Sequence, residues 1–180
     1  RGEVHALLGE NGAGKTTLMN ILYGLYQADK GEIFIDDKKV NFSSPTNAIK
    51  AGVGMVHQKF HVVPTLNVVQ NILLGIERSG LLLNITESAD RVVQLSERYN
   101  LNIDPLASIN MLSAGQIQRI EILKLLFGDA RIIILDEPTS VLTLQETNGL
   151  FELIRQLVSD GCGIVFISHK LYQVTEISNR

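Results

Sequence analysis

Short apolar runs alternate along the chain with segments of helical periodicity. The runs have the length and continuity of buried strands, and they occupy residues 4–8, 53–57, 131–135 and 163–167. Apolar residues recur at helical spacing in residues 17–23 and 144–159, each of which lies between two such runs. Strands that alternate with helices form parallel sheets with right-handed crossovers. The pattern therefore predicts an α/β fold with a mainly parallel core sheet.

The segment after the first predicted helix has a different pattern. Residues 32–35 and 38–42 have the character of two short strands around a two-residue polar turn, which predicts an antiparallel β-hairpin. Ser44 and Pro45 then predict the start of a short helix, with serine as the N-cap and proline at the first helical position.

The middle of the chain has no strong strand pattern. Residues 66–74 and 86–99 have the periodicity of amphipathic helices, and Thr86 is a candidate N-cap for the second of them. We therefore predict one domain with an inserted α-helical subdomain. Its expected parts are an α/β core at residues 1–58 and 130–180 and a helical subdomain at residues 59–129.

Composition and charge narrow the class of protein. The 180 residues, 45% of them hydrophobic, suit one soluble domain, and no apolar run is long enough to span a bilayer. A net charge of −3 argues against a nucleic-acid partner, and a single cysteine excludes an internal disulfide. The first strand begins almost at once and the chain stops just after a helix, so we expect truncation at both ends.

Residues 9–16 match the phosphate-binding pattern G-x-x-x-x-G-K-S/T at every fixed position. Glycines allow backbone conformations that leave N–H groups free to face an anion, and the following helix adds its positive end. Lys15 can place its ammonium between the terminal phosphates, and the Thr16 hydroxyl can ligate Mg²⁺. A glycine-rich turn with a solvated lysine is the alternative, which the flanking strand and helix disfavour. The motif predicts binding of a nucleoside triphosphate.

Asp136 and Glu137 directly follow the apolar run at residues 132–135. Ligands of open α/β sheets bind at the carboxyl ends of the strands. Asp136 can hold the shell of a Mg²⁺ ion through water. Glu137 points another way, because neighbouring residues alternate in direction, and it can orient or deprotonate an attacking water. A solvated strand end is the alternative, which the nearby phosphate loop disfavours.

Ser113 begins a predicted helix that runs to about Phe127. A serine followed three residues later by Gln116 has the spacing of a capping box, a purely structural device. The same helix start, with free N–H groups and a hydroxyl, also suits an anion. The spacing leaves both readings open.

Five motifs occur in the order found in ATP-binding cassette ATPases, and the chain resembles that family over nearly its whole length. The motifs are the phosphate loop, Gln58, residues 112–116, residues 132–137 and the pair Ser168 and His169. The resemblance implies a P-loop NTPase fold, ATP and Mg²⁺ as ligands, and ATP hydrolysis.

The resemblance also implies roles for individual residues. Catalysis would involve Glu137, His169 and Lys15, with the histidine at the γ-phosphate. The metal would be held by Thr16, Gln58 and Asp136, and the Gln58 loop would couple to transport subunits. Contacts to the nucleotide would come from Asn11, Gly12, Ala13, Gly14, Lys15, Thr16, Thr17 and Gln58. The ATP held by an opposing cassette would contact Ser113, Gly115 and Gln116.

Two positions depart from the family pattern. Ala114 stands where the family signature usually has its first glycine, and Thr143 stands where the family usually has an aspartate. Thr143 can still cap the next helix with Glu146, but it brings no carboxylate to the seam between cassettes. This departure leaves open how the two ATP sites communicate and whether they are equal. The aromatic residue that usually stacks on adenine would lie before Arg1.

Residues 55–58, 63–66 and 137–143 are similar to the first cassette of simple-sugar and nucleoside importers, whose ATP-binding subunits usually carry two cassettes in one chain. The implied partners are a second cassette, transmembrane permease subunits and, indirectly, a substrate-binding protein. The implied location is peripheral, on the cytoplasmic face of the cell membrane. The alternatives are a regulatory cassette that binds ATP without hydrolysing it and a non-transport cassette that acts on ribosomes or DNA.

Overall fold

The computed structural model describes residues 2–10, 12–74 and 84–180. Its strands are β1 (Val4–Leu8), β2 (Ile33–Ile35), β3 (Lys38–Val40), β4 (Val53–Val56), β5 (Ile132–Asp136) and β6 (Gly163–Ser168). Its α-helices are α1 (Lys15–Leu22), α2 (Pro45–Lys50), α3 (Val68–Leu73), α4 (Ile85–Arg98), α5 (Ala114–Phe127), α6 (Leu144–Ser159) and α7 (Leu171–Ile177). A short 3₁₀ helix spans Ile109–Met111.

Within the described residues, four of the strands form a parallel sheet in the order β1-β6-β5-β4. Leu8 at the end of β1 pairs with Ser168 at the end of β6. Val56 at the end of β4 pairs with Leu135, one residue before the end of β5. The sheet confirms the predicted α/β fold, and it places the segments that follow these strands at one edge.

The predicted hairpin is also present. β2 and β3 pair antiparallel, and the turn between them consists of Asp36 and Asp37, with φ angles of 50° and 61°. A two-residue turn with positive φ at both positions is the type I′ turn, whose twist matches that of the flanking strands.

Two helices in the middle of the chain begin at asparagine caps. The Oδ1 of Asn67 accepts from the N–H of Gln70 at 2.9 Å. The Oε1 of Gln70 in turn accepts from the N–H of Asn67, which completes a capping box. The Oδ1 of Asn84 accepts from the N–H of Thr86 at 3.1 Å and caps α4. The prediction of Thr86 as the N-cap is therefore wrong, because an asparagine two residues earlier supplies the acceptor.

The start of α2 confirms Ser44 and Pro45 as its N-cap and first helical residue. The Ser44 hydroxyl nevertheless donates to the Oδ1 of Asn47 at 3.0 Å and accepts no backbone N–H. The fixed φ of the proline, rather than a hydroxyl cap, therefore favours the first turn.

Helices cover both faces of the parallel sheet. Ile133 and Leu135 of β5 belong to the larger apolar core, which continues through α5 and α6 to α3 and α4. Ile134, which points to the opposite face, packs in a smaller core with Met19 of α1 and Ala48 of α2. The division of the domain at residues 58 and 130 stays a prediction.

Candidate functional site

The loop between β1 and α1 contains glycines in left-handed backbone conformations. Gly12 has a φ of 85° and Gly14, the N-cap of α1, has a φ of 87°. A Cβ atom at either position would meet no heavy atom within 4 Å, so the conformation rather than the space requires glycine. Asn11, which the family resemblance assigns to the nucleotide, lies outside the described residues.

The side chain of Lys15 folds against the loop that precedes it. Its Nζ donates to the carbonyl oxygens of Gly9 at 2.7 Å and Glu10 at 2.9 Å. The N–H of Ala13 donates to the same Glu10 carbonyl at 3.2 Å. Thr17 lies in the first turn of α1. The ammonium and the positive end of α1 therefore meet at this loop, an arrangement that suits a polyanion.

Asp136 at the end of β5 lies beside the first residues of α1. Asp136 is 4% exposed, and the Thr16 hydroxyl lies close enough to favour the ionised form of its carboxylate. Burial raises the pKa of Asp136, the charge of Glu137 raises it further, and Thr16 and Lys15 oppose the shift. A hydroxyl and a carboxylate are oxygen ligands that suit Mg²⁺. Gln58 lies exposed two residues beyond β4, at the same edge of the sheet.

Glu137 adopts a backbone conformation that is rare for a residue with a side chain, with a φ of 50°. Its N–H donates to the carbonyl of Ile167 at 3.1 Å, which holds it against β6. One carboxylate oxygen, Oε1, lies 2.9 Å from the Nδ1 of His169. The other, Oε2, is buried, and no donor reaches it among the described residues. Buried acceptors are normally satisfied, so this oxygen is available to an incoming donor such as water.

The start of α5 is the predicted capping box. The Ser113 hydroxyl accepts from the N–H of Gln116 at 3.3 Å, and the Gln116 side chain accepts from the N–H of Ser113 at 2.9 Å. The structural reading of this spacing is therefore correct. The anion interpretation remains compatible with it. The N–H of Gly115 takes no part in the capping box and donates to a carboxylate.

That carboxylate belongs to Glu146 in the first turn of α6. Its Oε1 accepts from the Ser113 hydroxyl at 2.9 Å and from the N–H of Gly115 at 3.1 Å. Its Oε2 accepts from the N–H and the hydroxyl of Thr143, both at 3.0 Å, in the capping box predicted for α6. Hydrogen bonds from Thr143 and Ser113 lower the pKa of Glu146, which keeps it ionised.

The sheet thus brings most of the predicted site together at one edge. The phosphate loop follows β1, Asp136 ends β5, and Glu137 and His169 meet where β5 and β6 end. The polar contacts described for Ser113 and Gln116, at the start of α5, run to each other and to Glu146 rather than to this group of residues.

The sequence did not predict the contacts that Glu146 and Gln173 make with residues of the site. The capping-box spacing revealed the local role of Glu146 but carried no sign of its contact with Ser113, 33 residues earlier. Gln173 belongs to no motif, yet its buried side chain bonds Thr139 and Ser168, the neighbours of the Glu137 and His169 segments.

A glycine-rich loop between a strand and a helix, next to a parallel sheet that ends in an acidic pair, defines a P-loop nucleotide-binding fold. The ABC transporter family model matches residues 1–140. The chain belongs to the ABC transporter family.

Relatives are similar along the whole chain. It is 46% identical over 181 residues to the nucleoside import ATP-binding protein NupA of Lactococcus lactis subsp. cremoris, covering 100% of this chain and 36% of the relative. It is 46% identical over 181 residues to the ribose import ATP-binding protein RbsA of Hahella chejuensis, covering 99% and 36%. The chain therefore spans about a third of the length of these curated relatives.

Solved structures share the fold. A dimeric post-hydrolysis state of an ATP-binding cassette, bound to ADP and Pi, is 28% identical with a TM-score of 0.79. The match covers 96% of this chain and 77% of that one.

Proposed function

We propose that the chain is the ATP-hydrolysing cassette of an importer for a simple sugar or a nucleoside. The observation that carries the proposal is the contact between Glu137 and His169, 2.9 Å apart at the sheet edge that bears the phosphate loop. The second oxygen of Glu137 is buried, and within the described ranges no donor reaches it, so it can accept a proton from water. The names of the relatives suggest the transport role and the two substrate classes.

In the proposed reaction, a water oxygen bonds to the γ-phosphorus of ATP as the bond to the β–γ bridging oxygen breaks, and ADP and phosphate result. Glu137 orients that water and accepts one of its protons. His169 contacts the γ-phosphate through the ring nitrogen that does not face Glu137. Lys15 and the N–H groups of the loop stabilise the negative charge that shifts onto the leaving oxygen.

The donor set around Asp136 fits a hard cation. We assign Mg²⁺ to Thr16, Gln58 and Asp136, with water completing the shell. When bound, Mg²⁺ neutralises charge on the phosphates. The remaining nucleotide contacts are assigned to Asn11, Gly12, Ala13, Gly14, Lys15, Thr16, Thr17 and Gln58.

A second cassette, in the same longer protein or in a dimer, would complete the site. Ser113, Gly115 and Gln116 would then bind the nucleotide held by that cassette. The related cassette of the post-hydrolysis structure is itself dimeric.

We infer a peripheral position on the cytoplasmic face of the cell membrane, where the cassette would bind permease subunits and act indirectly with a substrate-binding protein. Across the described ranges, no helix combines the length and apolar character needed to cross a bilayer. The cassette would then reach the membrane through its permease partners, and the Gln58 loop would couple the cassette to them. The net charge of −3 offers little attraction to nucleic acid.

The test is the substitution Glu137→Gln in the full-length protein assembled with its permease. Loss of the base should lower turnover at least about a hundredfold, on the order of 3 kcal/mol, while ATP still binds. Glu152→Gln is the matched control, because Glu152 lies exposed on α6 and its change should leave turnover intact. Near-normal turnover in Glu137→Gln would contradict the assignment.

A regulatory cassette that binds ATP without hydrolysing it is the second candidate. Thr143 favours it, since its hydroxyl donates to Glu146 within the cap of α6 and offers no carboxylate to a neighbouring cassette. Ala114 is a second departure from the signature. Single-turnover hydrolysis by the assembled protein separates the two candidates, since a regulatory cassette would leave bound ATP intact.

A further inference from the structure

A buried polar network joins α7 to the ends of β5 and β6. Gln173 is 1% exposed, and its Oε1 accepts from the Thr139 hydroxyl at 2.7 Å and from the Ser168 hydroxyl at 3.1 Å. Thr139 and Ser168 are themselves 1% and 0% exposed. The amide Nε2 of Gln173 donates to the hydroxyl of Tyr172 at 3.1 Å. Both the oxygen and the nitrogen of the Gln173 amide therefore form hydrogen bonds.

The two hydroxyls belong to the segments that carry the proposed reacting groups. Thr139 lies two residues after Glu137, in the segment that leaves β5, and Ser168 lies immediately before His169. The Ser168 hydroxyl also accepts from the N–H of Lys170 at 3.0 Å, which bridges across His169. One amide oxygen thus links the backbone segments on either side of the Glu137–His169 contact.

Both hydroxyls donate to position 173, so only a side chain with a hydrogen-bond acceptor can link them there. Both hydroxyls are buried, and each would lose the acceptor for its proton if position 173 were apolar, at a cost of about 1–3 kcal/mol for each unsatisfied donor. Glu137 already holds a disfavoured backbone conformation with a φ of 50°. Such a conformation persists only when its surroundings constrain it, and the network supplies a constraint two residues away.

We propose that Gln173 is a positioning residue for ATP hydrolysis, which holds the Glu137 and His169 segments at the separation that their contact requires. The inference rests on the proposed hydrolytic function. Gln173 acts through Thr139 and Ser168 and does not itself touch the nucleotide. Displacement of a reacting group by about 1 Å can lower a rate about a hundredfold, so a modest shift of these segments suffices.

The first test is Gln173→Met in the full-length protein assembled with its permease. Methionine keeps the length of the side chain and removes the acceptor, so kcat should fall about tenfold or more while KM for ATP changes by less than about twofold. Gln118→Met is the matched control, because Gln118 is 2% exposed and is bonded to neither segment. The Nε2 of Gln118 is buried and has no acceptor among the described residues, so the control should leave kcat near the wild-type value without loss of stability.

The second test is Gln173→Glu, which remains informative if Gln173→Met folds poorly. A protonated glutamate reproduces both the acceptor and the donor of the amide, whereas an ionised one places a buried charge near the Glu137 segment. Burial disfavours ionisation, so kcat relative to wild type should decline as pH rises between about 6 and 9. A pH profile of kcat that matches that of wild type would contradict the positioning role.

A double variant separates this inference from the proposed function. If Gln173 acts through Glu137, Gln173→Met should lower turnover little further in a Glu137→Gln background. Normal turnover in Glu137→Gln alone would overturn the assignment of Glu137 as the base, on which this inference rests. A large loss in Glu137→Gln, with kcat of Gln173→Met within about twofold of wild type, would overturn only the role of Gln173. Additive losses in the double variant would overturn it as well.

Discussion

The carboxylate of Glu146 lies 2.9 Å from the hydroxyl of Ser113 and links the start of α6 to the start of α5. The same oxygen accepts the N–H of Gly115 at 3.1 Å. These two donors are the groups proposed to bind the nucleotide of an opposing cassette. A phosphate that binds there has to replace an internal carboxylate, so Glu146 and the phosphate compete for the same hydrogen bonds.

Glu146→Gln should therefore lower the ATP concentration at which the assembled protein reaches half-maximal turnover. Glutamine preserves an acceptor for the α6 cap, but a neutral acceptor forms weaker hydrogen bonds than a carboxylate. We expect a decrease of about three- to tenfold, equivalent to roughly 1 kcal/mol. Steady-state turnover against ATP concentration measures it, with Glu152→Gln as the charge-matched control on α6. An unchanged or higher half-maximal concentration would contradict competition.

Asp136→Asn should stabilise the fold at neutral pH while weakening Mg²⁺-dependent nucleotide binding. Burial raises the pKa of Asp136 in the folded protein, so ionisation favours the unfolded chain. The resulting cost is fully present above the folded pKa and is absent below the ordinary aspartate value of about 3.9, where both states are protonated. The Tm of the variant should thus exceed that of wild type by a few degrees at pH 7 and converge with it toward pH 4. A lower Tm at pH 7 would contradict this account.

Tyr99→Phe should lower the free energy of unfolding by about 1 kcal/mol. The Tyr99 hydroxyl donates to the Oδ2 of Asp160 at 2.9 Å and so ties the end of α4 to the end of α6. Burial, with the hydrogen bond to Asp160, raises the pKa of Tyr99 to about 12, so the hydroxyl keeps its proton at neutral pH. Urea unfolding measures the loss, and ATP affinity should stay unchanged. Tyr26→Phe, at a position 54% exposed, is the control and should have little effect.

Local patterns were reliable where neighbouring residues decide the structure. The predicted helix at residues 144–159 has the same bounds as α6, because a capping box marks its start and its apolar face is regular. The pattern predicts Thr86 as the cap of α4 because a threonine fits the rule, but Asn84 accepts from the N–H groups of Thr86 and Glu87 and starts the helix earlier. Competition between nearby caps is settled by backbone geometry, which spacing does not reveal.

The sequence by itself determined the phosphate loop, the acidic pair after β5 and the order of the motifs, since each depends on residues that are adjacent in the chain. Only the tertiary structure decided which side chains meet across it. Glu146 reaches Ser113 over 33 residues, and Gln173 reaches Thr139 over 34. Those contacts follow from how α6 packs on α5 and from where α7 lies beside β6, and helix packing is set by the shape of the shared core rather than by any local pattern.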